Sequence, residues 1–368
     1  MDEFSFEDVS ELGNGLQNEK NSNQNYQSHF VPITFEEKGN KQTMSKHTSF
    51  SLSKKSSFNG LLNFKERKLD PYKKYSTNIN DYELISDIGG VDDISFLYLA
   101  KQKSTGEIIA LKYTDLSLSP NFEFMQELIK TSHNCAMLRH NNILPYFLTF
   151  EENDRLWTVT LPMECGSCRS IMKNSFSEGF SESVVATILK EILKAMSYLH
   201  GKHLIHNDVQ ADNILIDYNG EIKMTGLRQL INLQQDGWVQ SAAFLQVGDN
   251  IEWAAPEVMA QNANYCEKAD IYSLGITALE LAFNKTPFDN WPPLKILCSK
   301  LLYPCPAVKA PGKVFSHSFY DLVLRCVHRQ PTKRPTVIEL LEHPFIQRHA
   351  KGPQLIRDTV VKKLAKKL

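Results

Sequence analysis

At 368 residues, 42% of them hydrophobic and 23% charged, the chain has the apolar content for a substantial core, built as one large domain or two close-packed lobes. A formal net charge of -1 excludes the general attraction to nucleic acid or anionic lipid that a strongly basic surface provides. Seven scattered cysteines, no leading basic-then-apolar segment and no apolar run of about 18 residues predict a soluble protein without a membrane span in a reducing compartment, the cytoplasm with the nucleus as a second location.

Residues 1–79 are rich in Asn, Ser, Lys and Gln and show no sustained periodicity, so a disordered polar tail is expected there. Within it, residues 45–57 mix lysines with hydroxyls, as a phosphorylated segment or a merely solvated one would. Residues 80–164 change character. Three β-rich runs, 82–88, 94–101 and 108–114, precede a helical segment at 122–138, and two more apolar runs follow at 143–150 and 156–162. The sum is a five-stranded lobe carrying one helix. Residues 165–349 are mainly helical. Their clearest helix is 183–200, with Val184, Val185, Ile188, Leu189, Ile192, Met196 and Leu199 on one stripe and Gly201 as its stop. Ile214–Ile216 and Ile222–Met224 around Asn219-Gly220 read as a hairpin with a primed turn. Residues 350–368 form a basic tail in which Val360 to Leu368 alternates valines and leucines with lysines, as a solvated amphipathic helix or, alternatively, a membrane-surface one would.

Several motifs then appear in a fixed order. Ile109-Ala110-Leu111-Lys112 resembles the strand that carries a phosphate-pairing lysine in protein kinases, and His206-Asn207-Asp208-Val209-Gln210-Ala211-Asp212-Asn213 resembles their catalytic loop. Ala255-Pro256-Glu257 matches the end of the activation segment, and Asp270 to Leu281 resembles the helix that follows it in the sterile-20 branch. Arg334-Pro335-Thr336 resembles the motif whose arginine pairs with the glutamate at Glu257. The series covers about residues 82–349 and implies an α+β, bilobal protein-kinase fold: a small five-stranded β lobe with one helix and a large mainly α-helical lobe.

Phosphoryl transfer on this fold is positioning plus electrostatics, so each residue of the cleft carries a separable expectation. Gly89 and Gly90 stand where the phosphate-covering loop belongs, although a plain hairpin turn explains the pair as well, and Asp92 and Asp93 near the third glycine's place would repel a triphosphate. Lys112 would neutralise phosphate oxygens, with a surface lysine as the alternative. The helix glutamate that should hold it is replaced by Thr131, leaving Glu127, one turn earlier, to reach the lysine or to face solvent. Asp208 survives as a residual catalytic candidate and Asn213 as a potential ligand, and both residue types also bond loop amides. The arginine and lysine expected at Asn207 and Gln210 are gone. Most telling is Thr225-Gly226-Leu227-Arg228, because Gly226 stands where a carboxylate should hold magnesium, a hard cation that needs oxygen ligands. No metal site is expected. Arg228 offers a guanidinium for phosphate oxygens or is simply a surface arginine. Leu161 and Met163, ahead of the hinge exit, complete the candidate nucleotide-binding set. Ser241 is the sole hydroxyl of residues 229–252, so loop phosphorylation has little to act on. Cys165 and Cys168 have metal-pair spacing but no second pair.

Gly226-Leu227-Arg228, together with Leu156-Trp157-Thr158-Val159-Thr160, Gly166-Ser167 and the Asp270 helix, resembles the sterile-20-related adaptor pseudokinases, STRAD. That resemblance implies ATP as a ligand held without magnesium. It also implies a client serine/threonine kinase of the liver-kinase-B type, gripped as though it were substrate, and an armadillo-like scaffold protein in a ternary complex. Two departures stand out. Asp208 and Lys112 are kept, which leaves weak kinase activity as the alternative, and the chain ends in Ala365-Lys366-Lys367-Leu368 where the family has an aromatic scaffold-binding tail.

Overall fold

The computed structural model describes residues 75–92, 94–233, 250–260, 265–306 and 313–366. The polar tail before residue 75, the side chain of Asp92, Asp93 and Ser241 lie outside the described residues.

Alternating apolar residues build the first lobe. Its strands β1 (Tyr82–Asp92), β2 (Ser95–Gln102), β3 (Ile108–Asp115), β4 (Tyr146–Glu152) and β5 (Arg155–Thr160) form one antiparallel sheet in the order β1-β2-β3-β5-β4. Ile109 and Leu111 join Tyr82, Phe150, Trp157 and Val159 in a cluster of their own. Ala110, Lys112 and Thr114 therefore point to the opposite face. The helix α1 (Phe122–Cys135) follows β3; Asn121 caps it, its Oδ1 accepting from the Phe124 N–H at 2.8 Å. Leu128, Thr131 and Cys135 are its buried side. The lobe is thus the five-stranded sheet with one helix that the sequence predicts.

The second lobe starts with β6 (Gly166–Ser167), α2 (Cys168–Ser175), α3 (Glu182–His200) and β7 (Leu204–Ile205). It continues through β8 (Ile214–Ile216), β9 (Ile222–Met224) and β10 (Ile231–Asn232). Helices α4 (Pro256–Met259), α5 (Lys268–Phe283), α6 (Pro293–Leu302), α7 (His317–Cys326), α8 (Val337–Leu341) and α9 (Pro344–His349) complete it. Helix α5 is buried on every side, which is why its sequence has no polar stripe. Strand β9 is tied to the connection leaving α1: Met224 N–H donates to Asn142 at 2.8 Å and Leu144 N–H donates to Met224 at 2.9 Å. The small lobe and the floor of the second lobe share that backbone seam. Among the described residues no helix is long and apolar enough to cross a membrane.

Three local expectations change. The β8–β9 connection is a five-residue loop from Asp217 to Glu221 rather than a two-residue primed turn; the Asp217 carboxylate accepts from the N–H groups of Asn219 and Glu221, 2.9 and 2.7 Å away, and so shapes the loop from within. Helix α3 does end at Gly201, but Gly201 stays right-handed at φ -65 and the left-handed turn falls on His203. The tail helix is not simply solvated. It begins at α10 (Pro353–Ile356), passes through a π-helical turn at Arg357–Val361 and ends in α11 (Lys362–Ala365), burying Ile356, Val360 and Val361 in the main core, with the Lys363 ammonium 4.0 Å from the Phe176 ring centre.

That helix sits on the hairpin loop. A Cβ at Gly220, where φ is +80, would collide with the Pro353 carbonyl and come within 2.9 Å of the Arg357 nitrogen. Gly220→Val is expected to cost roughly 2–4 kcal/mol, from left-handed strain and overpacking together. Thermal unfolding reads this directly, and an unchanged melting temperature would mean the helix does not rest on the loop.

Candidate functional site

The sheet register lines up the first half of the cleft. Gly89 pairs with Leu97, Leu97 with Lys112, and Lys112 with Thr158. At a strand spacing of about 4.8 Å, Gly89 lies roughly 10 Å across the sheet from Lys112. Strand β1 is irregular here, with register shifts between Asp87 and Gly89 and between Gly90 and Asp92. Gly89 has φ +122, its N–H donates to Asp87 Oδ1 at 2.7 Å, and a Cβ on it would meet nothing within 4 Å. Open space therefore lies beside this turn. Leu161 and Met163 are half-buried in the segment after β5 that leads into the second lobe.

Lys112 is half-buried on β3, and its charge is felt at Cys135, where it opposes the burial that pushes that thiol up to about 12. The α1 face buried on this side carries Thr131; Glu127 is 69% exposed and ion-paired to Lys130 at 3.7 Å. Of the two alternatives for Glu127, the structure shows the solvent-facing one. Helix α1 is instead anchored at its other end, where Cys135 Sγ donates to the Leu227 carbonyl at 3.5 Å and Leu227 is fully buried.

The catalytic-loop segment hangs from Asp270. This buried carboxylate accepts the N–H groups of His206 and Asn207, each at 2.8 Å, and contacts His200 Nε2 at 2.9 Å. Burial alone would raise its pKa; the His200 hydrogen bond and the neighbouring imidazoles outweigh that and hold it below the usual aspartate value. Asn207 adopts a left-handed conformation at φ 63, which asparagine tolerates better than most residues. His206 bridges onward: its Nδ1 accepts the Asp208 N–H at 3.2 Å and its Nε2 donates to the Thr225 carbonyl at 2.7 Å.

Asp208 is enclosed by amides. Its Oδ1 accepts from Gln210 Nε2 and from Asn250 Nδ2, both at 2.5 Å, while its Oδ2 accepts from Asn213 Nδ2 at 2.6 Å. Gln210 also donates to Asn250 Oδ1 at 3.1 Å, and Asn213 Nδ2 reaches the Asp208 carbonyl at 2.8 Å. Burial raises the Asp208 pKa against the opposing pull of His206, these amides and the Arg228 charge. Arg228, half-buried beside Gly226, is thus near enough to act on the same carboxylate.

Gly226 is left-handed, φ 82 and ψ 19, and a Cβ there would stand 2.5 Å from both Cγ and Nδ2 of Asn213. The Asn213 amide fills the space that a longer side chain at 226 needs. These residues make a poor magnesium site: Gly226 supplies no oxygen, and the Asn213 amide occupies the space through which a carboxylate at 226 would reach an ion. The half-buried cations Lys112 and Arg228 act electrostatically on Cys135 and Asp208 respectively.

Farther out, Arg334 and Glu257 make the pair expected from the motifs, with Nη1 and Nη2 at 2.6 and 2.8 Å from the two carboxylate oxygens. Cys165 and Cys168 are free thiols whose pKa values are raised by burial. Three groups were not anticipated. Asn250 closes the cage on Asp208. Glu280, fully buried, accepts from Arg169 at 2.6 Å, Trp253 Nε1 at 2.9 Å and the Ala211 N–H at 3.0 Å. Lys300, 2% exposed, donates to the carbonyls of Ile251, Glu252 and Ala254 at 2.8, 2.7 and 2.6 Å. Only Asn250 had a signal, its fixed distance before Ala255-Pro256-Glu257.

Residues 82–346 match the protein kinase domain family. A protein of Dictyostelium discoideum named serine/threonine-protein kinase fray2 is 38% identical over 293 residues; the match takes in 79% of this chain but spans only 28% of that protein's length. STE20-related kinase adapter protein alpha of Mus musculus is 32% identical over 328 residues, 75% of this chain and 76% of that one. The beta form of Homo sapiens is 30% identical over 320 residues, 74% of this chain and 76% of that protein.

Proposed function

The chain belongs to the protein kinase family, among the STE20-related kinase adapter proteins, and on that premise we propose that it is a catalytically deficient pseudokinase working as an allosteric adaptor. It binds ATP without magnesium and activates a partner serine/threonine kinase of the liver-kinase-B type, in the cytoplasm or nucleus, with an armadillo-like scaffold protein as third member. The observation that carries this reading is the Asn213 amide lying against Gly226, in the space a metal-holding carboxylate would need. In this reading ATP supplies no chemistry; its polyphosphate brings charge that draws the two lobes onto one ligand. Lys112 and Arg228 hold the phosphates, Gly89 and Gly90 lie over them, and Leu161 and Met163 flank the base. Asn213 lines the floor.

Calorimetry with ATP, in magnesium and in chelator, tests the proposal. Equal affinity under both conditions is expected. Each charge-assisted contact is worth about 1.5–3 kcal/mol, so Lys112→Ala and Arg228→Ala should each weaken binding roughly 10- to 150-fold. If both variants bind as the wild type does, the pocket is misassigned.

A second reading, a weakly active serine/threonine kinase, draws support from the 38% identity to a relative named as a kinase and from the retention of Lys112, Asp208 and Asn213. It requires γ-phosphate transfer that disappears in Asp208→Ala.

A further inference from the structure

Asp208 touches two regions at once. Its Oδ2 is held by Asn213, which packs against Gly226 on the cleft floor, and its Oδ1 is held by Asn250, the first residue of the run 250–259. Five of the following residues are held from the lobe beneath. Lys300 takes the carbonyls of Ile251, Glu252 and Ala254; Glu280 takes the Trp253 indole; Ser273 Oγ donates to the Trp253 carbonyl at 3.0 Å; Arg334 takes Glu257. Asn250 in turn accepts the Trp253 and Ala254 N–H groups on its backbone carbonyl, at 3.0 and 3.1 Å, so its position sets the turn that opens the ledge. Among the described residues its side chain bonds Asp208 and Gln210.

A carboxylate has about four lone-pair sites, and three of those on Asp208 are taken by neutral amides, two on Oδ1 and one on Oδ2; Gln210 stands where a cation would otherwise accompany a transferring phosphate. Amides cannot neutralise developing charge, but they bond a carboxylate in fixed directions. We infer that Asp208 is a positioning residue, a joint of amide-to-carboxylate hydrogen bonds that fixes the ledge 250–259 to the floor of the nucleotide cleft. This rests on the reading of the cleft as catalytically deficient and explains why the residue persists there.

A reciprocal exchange of the two side chains tests the joint in the full-length protein, with amide hydrogen exchange at residues 251–254 as the readout. Asn250→Asp sets two carboxylates face to face and should speed exchange there about tenfold or more. Adding Asp208→Asn restores an amide opposite a carboxylate, with donor and acceptor swapped, and should return exchange to within about threefold of wild type. Should Asn250→Asp alone fail to fold, folding of the exchanged double variant reads the same rescue. A double variant as fast as the single, or one that also fails to fold, or wild-type exchange in Asn250→Asp, overturns the joint. In a parallel assay, γ-phosphate transfer by the wild type that Asp208→Asn abolishes sinks the catalytically deficient reading, whereas failed rescue without any transfer sinks the joint alone.

Discussion

Gly226→Asp is expected to leave γ-phosphate transfer at background while destabilising the fold by about 2–4 kcal/mol. The sequence alone invites the opposite hope, that restoring one carboxylate restores the metal. In the structure the first new atom stands 2.5 Å from the Asn213 amide, closer than a Cβ carbon can stand to an atom it is not bonded to. Asn213 must move, and moving it breaks the bonds at 2.6 and 2.8 Å to Asp208. Left-handed strain adds about 1–2 kcal/mol and loss of a charge-assisted hydrogen bond about 1.5–3 kcal/mol, partly offset by relaxation of the new side chain toward solvent. Rate would not follow, because a single preorganised stabiliser is worth roughly 10² to 10³ and the cleft also lacks the cations replaced by Asn207 and Gln210. Thermal unfolding and a radiometric transfer assay read the two halves. Magnesium-dependent transfer in this variant would show that Asn213 yields easily and that Gly226 alone silenced the cleft.

Arg334→Ala is expected to produce the largest loss of stability, about 3–5 kcal/mol, because it leaves the Glu257 carboxylate beside an emptied, buried site. Every polar edge of this guanidinium is used: Nε donates to the His328 carbonyl at 2.7 Å, Nη1 to Glu257 and to the Lys268 carbonyl, Nη2 to Glu257 and to the Arg329 carbonyl. The residue is 2% exposed. Arg334→Lys should fare nearly as badly, since an ammonium cannot reproduce the planar fork. Replacing both partners by apolar residues should recover much of the loss, because no charge then remains buried without its counter-ion. Melting temperature checks all three, at roughly 2–4 °C per kcal/mol for a domain of this size. A single alanine that melts as the wild type does would mean the pair is not shielded from water.

Those two sites also show what the linear chain makes legible. The Glu257–Arg334 pair is legible because the two motifs resemble those whose charged residues pair in protein kinases. The missing carboxylate at Gly226 is legible for the same reason. The position of Asn213 is not: its side chain leans into a space that exists only because the neighbour 13 residues on has no Cβ, and composition carries no trace of that. Which way Glu127 turns is not legible either, because helical spacing puts it within one turn of Thr131 but does not fix how the helix is rotated against the sheet. Nor is the role of Lys300: nothing in its helix shows that three carbonyls of a loop some fifty residues earlier take all its protons. The alternation of apolar residues with lysines at 360–368 reads as an amphipathic helix but does not tell what its apolar side packs on; Val360 and Val361 lie in the main core, with the Lys363 ammonium over the Phe176 ring.

The seating of Pro353 and Arg357 on Gly220 gives the chain an order of birth as well as a shape. A ribosome delivers the β8–β9 hairpin well over a hundred residues before it delivers the helix that covers it, and until then the pockets that receive Ile356, Val360 and Val361 stay open to water. Helices α5 to α9 can dock as they emerge, but the apolar surface beside the Gly220 loop is covered only when residues 353–365 have been made. A nascent chain therefore carries an apolar seam that chaperones would be expected to attend until that helix arrives.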